Sequence, residues 1–515
     1  MTQPNIIFIM ADQLAAGSIG CYGSHVNSTP TIDGLAKAGA RFERCYVSAT
    51  VCAPNRATIL TGRSPVIHGI VTNNLDLTDD NPTYAQVLQS QGYHTGGFGK
   101  FHHTCMGLPL PKDFKSFGFD ETVISEDPKW GDYINWIERE HPDYYKTALS
   151  MCWGLPFVEK ELKAQNRQAV AECLNERRQE SDWSLMYSSP LPKELHQTTF
   201  ITDKALGFMS ESIKEQSDQP FFCFVSYVDP HDPYDPPAPY DTMFEPDDMP
   251  DPIDESWVER GNSILKNSQK FCEFDTVAQN KDTIKKLRAL YHGSIKFVDD
   301  QVNRIVEFIN KQGLADNTII VFTTDHGDMI GDHELITKGV KFYDKGIRCP
   351  LIVYGKGIEP SMIDRLTCSL DFFPSFCDWA KIDNVGRPPL EGKSFVPLCY
   401  GQEENDSWKE VTVESTYSEE GSAVRGIITD DNWRFTIFDL PNTGEMFNLN
   451  EDPDEQVNLF YNDEYNDKKF ELYERMTHAF MRSSKTHQYR NLPVKDGDKC
   501  MLTDGFGLRN NLFQV

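Results

Sequence analysis

Short apolar runs, each halted by a polar cluster, constrain this chain more than any other feature. Residues 5–10, 221–227 and 318–323 consist mainly of Ile, Val, Phe and Thr, and each is too short for an ordinary helix. They read as strands buried on both faces. Helical spacing is found at residues 31–40, in a start at 55–60, and at 296–312, where Phe297, Val298, Val302, Ile305, Val306 and Ile309 are apolar. Strands alternating with helices predict an α/β domain with a largely parallel central sheet flanked by helices. In open sheets of this kind, functional groups gather beyond the carboxyl ends of the strands. Asp12 and Gln13 follow the first run, His231 the second, and Asp325 and His326 the third; Lys100 and His102 follow a further segment at 93–98. Carboxylate, carboxamide and imidazole groups brought together suit a divalent cation.

The chain has 515 residues, more than the roughly 250–300 that one core supports, so at least two domains are expected. Beyond about residue 401 the pattern changes to short strands at 410–414, 425–429 and 433–438, followed by a helix at 468–482. This divides the chain into a catalytic domain, 1–405, and a smaller C-terminal α+β domain, 406–515, with an irregular tail from His487. The Pro- and Asp-rich stretch 229–252 reads as a long surface loop. Acidic residues outnumber basic ones, 78 to 50, for a net charge of −28, which disfavours nucleic acid and anionic membrane surfaces as partners. No run approaches the roughly 18 apolar residues of a membrane-spanning helix. The first apolar run meets Asp12 at once and is no secretory signal. The 13 cysteines show no paired spacing and fit reduced thiols. The expected location is the cytoplasm, or the periplasm or exterior if a leader has been removed, and the sequons at Asn27 and Asn405 are accidental matches.

Cys52-Ala53-Pro54-Asn55-Arg56 runs on into Thr61-Gly62. Pro54 suits the first turn of a helix, which places Cys52 at a positive helix end. That position lowers a thiol's pKa and suits a nucleophile or an anion site; one more buried thiol is the plain alternative. The spacing resembles the Cys-x-Pro-x-Arg and Thr-Gly signature of the type I sulfatases of the alkaline phosphatase superfamily. Gly92-Tyr93-His94-Thr95 with Gly99-Lys100-Phe101-His102 is similar to the second signature of that family. Asp229-Pro230-His231, Thr324-Asp325-His326-Gly327-Asp328, Gly331-Asp332-His333, Lys338 ahead of Arg348, and Glu445-Met446-Phe447 match further family segments in order. Asn55 stands where most relatives have Ser or Thr, Gln13 where many have a second aspartate, and His326 where many have asparagine. That set resembles the branch holding phosphonate monoester hydrolases and choline sulfatases.

The resemblance implies an alkaline-phosphatase-like α/β fold and hydrolysis of sulfate monoesters. The nucleophile would be the formylglycine (3-oxoalanine) made from Cys52 by formylglycine-generating machinery. Arg56 and Lys100 would steady the nucleophile and the sulfate oxygens, His102 would take a proton from residue 52, and His231 or Lys338 would serve the leaving alcohol. Asp12, Gln13, Asp325 and His326 would hold one divalent ion, Ca²⁺ first, with Mn²⁺ and Mg²⁺ as alternatives. Two alternatives stay open: a phosphonate monoester or phosphodiester hydrolase using the same nucleophile, and an unmodified protein that only binds sulfated ligands. Homo-oligomerisation also stays open. His333 reads as a turn residue, and His68, His94 and His103 as surface or loop groups. Substrate choice is expected from the insert 106–195, the acidic loop 232–252 and the C-terminal tail as a lid. Trp130, Tyr133, Trp136, Tyr144, Tyr145 and Trp153, with Trp183, offer aromatic faces for a sulfated sugar, an aryl group or a choline-like cation; core or surface packing is an equal reading for the four tryptophans.

Overall fold

The computed structural model describes residues 3–73, 75–105, 113–127, 129–151, 182–215, 219–254, 262–268, 270, 274–382, 390–402, 407–417 and 422–486. The expected C-terminal tail from His487, Trp153, much of the insert and Asn405 lie outside the described residues. The strands of the central sheet are β1 (Asn5–Ala11), β2 (Ala40–Tyr46), β3 (His94–Gly99), β4 (Glu121–Ile124), β5 (Phe221–Tyr227), β6 (Thr318–Thr324), β7 (Arg348–Gly355), β8 (Ser361–Ile363) and β9 (Thr367–Cys368). They lie in the order β4-β3-β5-β1-β6-β7-β2-β8, with β9 also on β2. β1 is parallel to β5 and β6, and β3 is parallel to β4 and β5. β7 runs antiparallel to β6 and β2.

Every residue of β1, β5 and β6 is buried, which explains their unbroken apolar composition. The pleat sends Ile6, Phe8, Phe222, Phe224, Ile319 and Val321 into one core layer. Ile7, Ile9, Cys223, Val225, Ile320 and Phe322 go into the opposite layer. The main flanking helices are α1 (Pro30–Ala38), α2 (Cys52–Thr61), α3 (Gln197–Glu215), α4 (Lys281–Lys311) and α5 (Phe372–Trp379). Residues of α2 and α5, among them Ala57, Leu60, Phe372 and Phe376, fill the first layer. Residues of α1, α3 and α4, among them Leu35, Phe208, Leu287 and Val298, fill the second.

Two local expectations are corrected. The helix expected at 296–312 begins at Lys281, where the Asn280 side chain accepts from the amides of Asp282 and Thr283 at 3.1 Å each. Its first half is interrupted by Lys, Arg and His, which hid the apolar stripe of Ile284, Leu287, Tyr291 and Ile295. The stretch 229–252 is not a surface loop throughout. Asp229, His231, Asp232, Tyr234 and Asp235 are buried, because the chain leaving β5 turns back over the carboxyl edge of the sheet.

A second sheet, β10 (Glu410–Tyr417), β11 (Ser422–Thr429), β12 (Trp433–Phe438) and β13 (Gly444–Asn448), is antiparallel in chain order. Leu472, Met476 and Ala479 of α6 (Asn466–Thr486) pack on Ile427, Phe435 and Met446. Val411, Val413, Val424 and Ile428 point the other way and share the core of the central sheet. Among the described residues, no helix is long and apolar enough to cross a membrane.

Candidate active site

The carboxyl ends of β1, β3, β5 and β6 bring the expected groups together. α2 starts at Cys52, with Val51 in extended backbone ahead of it and no side chain capping the turn. The helix amides therefore point toward the site. Asn55 holds this entry in place: its side-chain oxygen accepts from the amides of Ser48 at 3.1 Å and Ala49 at 3.3 Å, and its amide donates to the Asp325 carbonyl. The residue that departs from the family signature thus ties the nucleophile turn to the end of β6.

One helical turn beyond Cys52, the buried Arg56 guanidinium joins four strand ends. It donates to Asp325 Oδ2 at 2.6 Å, Asp12 Oδ2 at 3.1 Å, Ser226 Oγ at 2.8 Å and the Lys100 carbonyl at 2.8 Å. The other oxygens of the two carboxylates remain on the far side. Asp12 Oδ1 and Asp325 Oδ1 each lie 3.8 Å from His326 Nε2. Ligand atoms of Asp12, Cys52, Asp325 and His326 all lie within 4.8 Å of one another. His326 Nδ1 lies 3.0 Å from the Gly327 carbonyl and donates to it, which leaves Nε2 facing the cluster and the Cys52 sulfur at 3.0 Å. Two hard oxygens and one imidazole nitrogen fit a divalent ion. Gln13 follows Asp12 at a positive φ of 62°. Its amide donates to Asp328 at 2.6 Å and Asp232 at 3.2 Å, while its side-chain oxygen takes the Lys338 ammonium.

Lys100 Nζ pairs with both Asp12 and Asp127. The backbone of β3 delivers it: Gly99 has φ 107°, and a Cβ there would lie 1.9 Å from the Ser226 carbonyl. His102, at φ 52°, is buried. Its turn is held by Glu126, which accepts from the amides of Phe101 at 3.1 Å and His102 at 3.0 Å. His231 Nδ1 donates to the Asp232 carbonyl at 2.6 Å, so Nε2 is left to meet the Lys338 ammonium.

Burial alone would raise the Cys52 thiol, but Lys100, Lys338, His326 and His102 outweigh it and hold the group well below the ordinary thiol range. Burial and Lys338 would lower His231, yet Asp232, Asp127 and Asp12 push it up to about 9. Beside the site, Lys129 pairs with Asp235 at 3.2 Å, and Asp229 takes the Thr198 hydroxyl with His196 Nδ1 3.7 Å away. These buried contacts brace the loop that carries His231 and Asp232.

Sequence reasoning missed Glu126, Asp127, Ser226 and Asp232. None has local spacing that marks it, and the two acids at 126–127 stand among many others in an acidic chain. Expectations about other residues are revised. His68 and His103 are buried, and His68 Nε2 is 3.1 Å from Thr58 Oγ1. His94 is half-buried against Phe208 and Ser212. His333 sits in a turn, stacked 4.0 Å from Tyr343. Trp183 is a core residue against Phe274 and Tyr234, and Trp136 packs on Phe200 with ring centroids 5.0 Å apart. Trp130 is half-buried against the same core. Packing accounts for these three aromatic residues of the insert.

Comparison with known proteins follows the same outline. The family model described as Sulfatase matches residues 4–382. The chain belongs to the sulfatase family. A second family model, N-sulphoglucosamine sulphohydrolase, C-terminal, matches residues 331–482. This sulfatase is 28% identical over 476 residues to an arylsulfatase of Clostridium perfringens, covering 90% of this chain and 92% of that one. It is 27% identical over 468 residues to a choline-sulfatase of Rhizobium meliloti, covering 89% and 83%. Its fold is similar to a phosphonate monoester hydrolase of Agrobacterium radiobacter, at TM-score 0.72 and 21% identity over 93% of this chain and 96% of that one. The sulfatase is a sulfuric ester hydrolase of alkaline-phosphatase-like α/β fold.

Proposed function

We propose that this sulfatase cleaves small-molecule or carbohydrate sulfate monoesters through a formylglycine at position 52. The observation that carries this reading is Cys52, fully buried at the start of α2, with His326 Nε2 3.0 Å from its sulfur and Asp12 and Asp325 in the same cluster. When bound, a diol derived from the aldehyde at residue 52 would supply the nucleophile, and a divalent cation the positive charge that acidifies it. Asp12, Asp325 and His326, with Gln13 beside them, would hold that cation; Ca²⁺ suits the oxygens, and the imidazole keeps Mn²⁺ and Mg²⁺ in contention. Arg56 ties the two carboxylates together, and Lys100 and Lys338 would hold the anion. Lys338 Nζ and His231 Nε2, which meet in the site, would protonate a leaving alcohol, and the buried His102 would take a proton from residue 52. The division at 1–405 and 406–515 belongs to the same proposal and is supported by the two separate sheets.

Mass spectrometry of the peptide spanning Cys52 from the native host tests the nucleophile, because the aldehyde is about 18 Da lighter than the thiol. An intact thiol in an active preparation would refute it. The reading as a phosphonate monoester hydrolase has one specific support, the His326 and Gln13 pair at the candidate ion site. Specificity constants on an aryl sulfate and a phosphonate monoester with the same leaving group separate the two; a larger constant for the phosphonate would reverse the assignment.

A further inference from the structure

Asp127 stands in the loop between β4 and the helix Asp132–Glu140, with its side chain 6% exposed. One carboxylate oxygen pairs with Lys100 and the other lies 3.9 Å from His231 Nε2. Ligand atoms of Cys52, Asp127 and His231 lie within 4.8 Å of one another, and Cys52 is equally part of the group formed with Asp12, Asp325 and His326. Cys52 is therefore shared between the candidate ion site and the group that Asp127 forms with His231. Any group transferred to residue 52 has to enter the space that Asp127 borders, so its terminal oxygens meet a buried negative charge. Asp127 also shares the Lys100 ammonium with Asp12, leaving less uncompensated positive charge for the incoming anion.

We propose that Asp127 is a charge filter: it lets ester monoanions occupy the site and disfavours dianions. The Coulomb penalty from a fixed carboxylate doubles when the substrate charge doubles, and a dry site transmits it with little screening. Sulfate monoesters and phosphonate monoesters carry one negative charge, whereas a phosphate monoester at pH 8 carries close to two, its second pKa being about 6. The filter rests on transfer at residue 52 as proposed above and refines it to a substrate class, singly charged esters.

The test compares kcat/KM at pH 8 for an aryl sulfate, an aryl phosphonate monoester and an aryl phosphate with one common leaving group. The enzymes are the wild type, Asp127→Asn, Asp127→Ser and Asp127→Glu. Ratios between substrates do not depend on how much of each variant is folded and modified. In Asp127→Asn and Asp127→Ser the phosphate-to-sulfate and phosphate-to-phosphonate ratios should rise roughly tenfold or more, while Asp127→Glu keeps the wild-type ratios. Unchanged ratios, or three constants that fall by one common factor, would overturn the filter and leave Asp127 as a residue that only positions Lys100 and His231. If the aldehyde is present but the wild type has no activity on sulfate, the sulfatase mechanism fails, and the phosphate-to-phosphonate ratio still judges Asp127.

Discussion

Arg56 shows how one side chain can carry the geometry of a site. Its planar fork reaches two carboxylates, a hydroxyl and a carbonyl contributed by four strand ends, which an ammonium cannot reproduce. In Arg56→Lys the charge is kept but the fork is lost, and the broken charged hydrogen bonds should destabilise the fold by about 1.5–3 kcal/mol. Activity and bound metal should fall together by more than about 100-fold; a variant that keeps its metal content would show that Arg56 does not set the carboxylates. His231 gives the pH dependence. Its pKa is raised to about 9, so the imidazole keeps its second proton below that pH and loses it as pH rises through it. The stability it contributes is complete below the ordinary imidazole value near 6.5 and fades toward the same limit. kcat/KM for a sulfate ester with a poor leaving group should therefore decline through about pH 9, and the decline should vanish in His231→Gln. A profile that keeps its alkaline limb in that variant would remove His231 from leaving-group protonation. Cys52, Arg56 and Lys100 were legible because each belongs to a short string whose spacing has a local cause: a helix start, one helical turn, a strand end. Asp127 was not, because its partners Lys100 and His231 come from other strand ends, and nothing around position 127 marks it.

At the level of elements, the loop after β4 supports the turn after β3. Glu126 accepts two consecutive amides there, and His102 is in left-handed backbone. Both amides go to Oε1, so Glu126→Gln keeps its acceptor, whereas Glu126→Ala removes it and should lower kcat roughly 10- to 100-fold while metal content stays unchanged. Loss of metal in Glu126→Ala would mean that the loop supports the ion site instead. The insert predicts a different outcome for Trp136→Ala. Its ring packs on Phe200 and His141, so the variant should lose about 2 kcal/mol of stability, read as a lower Tm, with equal effects on turnover of large and small sulfate esters. A selective loss on a large ester would restore Trp136 as a binding face. The strands were readable because burial on both faces imposes an unbroken apolar string. The loop at 229–235 was misread because Pro and Asp are the usual marks of exposed turns, and here Asp229 and Asp235 are buried beside Thr198 and Lys129.

For the whole molecule, the site is a junction of remote pieces held by a ring of charges, and a bound cation should stabilise the folded state by mass action. Chelation should abolish turnover and lower Tm, and the order in which Ca²⁺, Mn²⁺ and Mg²⁺ restore both should name the ion. Recovery of activity without recovery of Tm would separate the catalytic ion from the stabilising one. The alternation of strands and helices made the architecture predictable, whereas the antiparallel course of β7 had no signature, because its apolar string suits either direction. The complete burial of Cys52 also sets a schedule. Once folded, residue 52 is out of reach of any modifying enzyme, and His326, which closes over its sulfur, is 274 residues further along the chain. At roughly 5–20 residues per second, synthesis leaves between about 14 and 55 s in which the cysteine is out but cannot yet be enclosed. On the proposed mechanism, the share of active molecules is decided by a race between oxidation and translation. Slowing the ribosome over residues 60–320 should raise that share without changing a single contact in the finished protein.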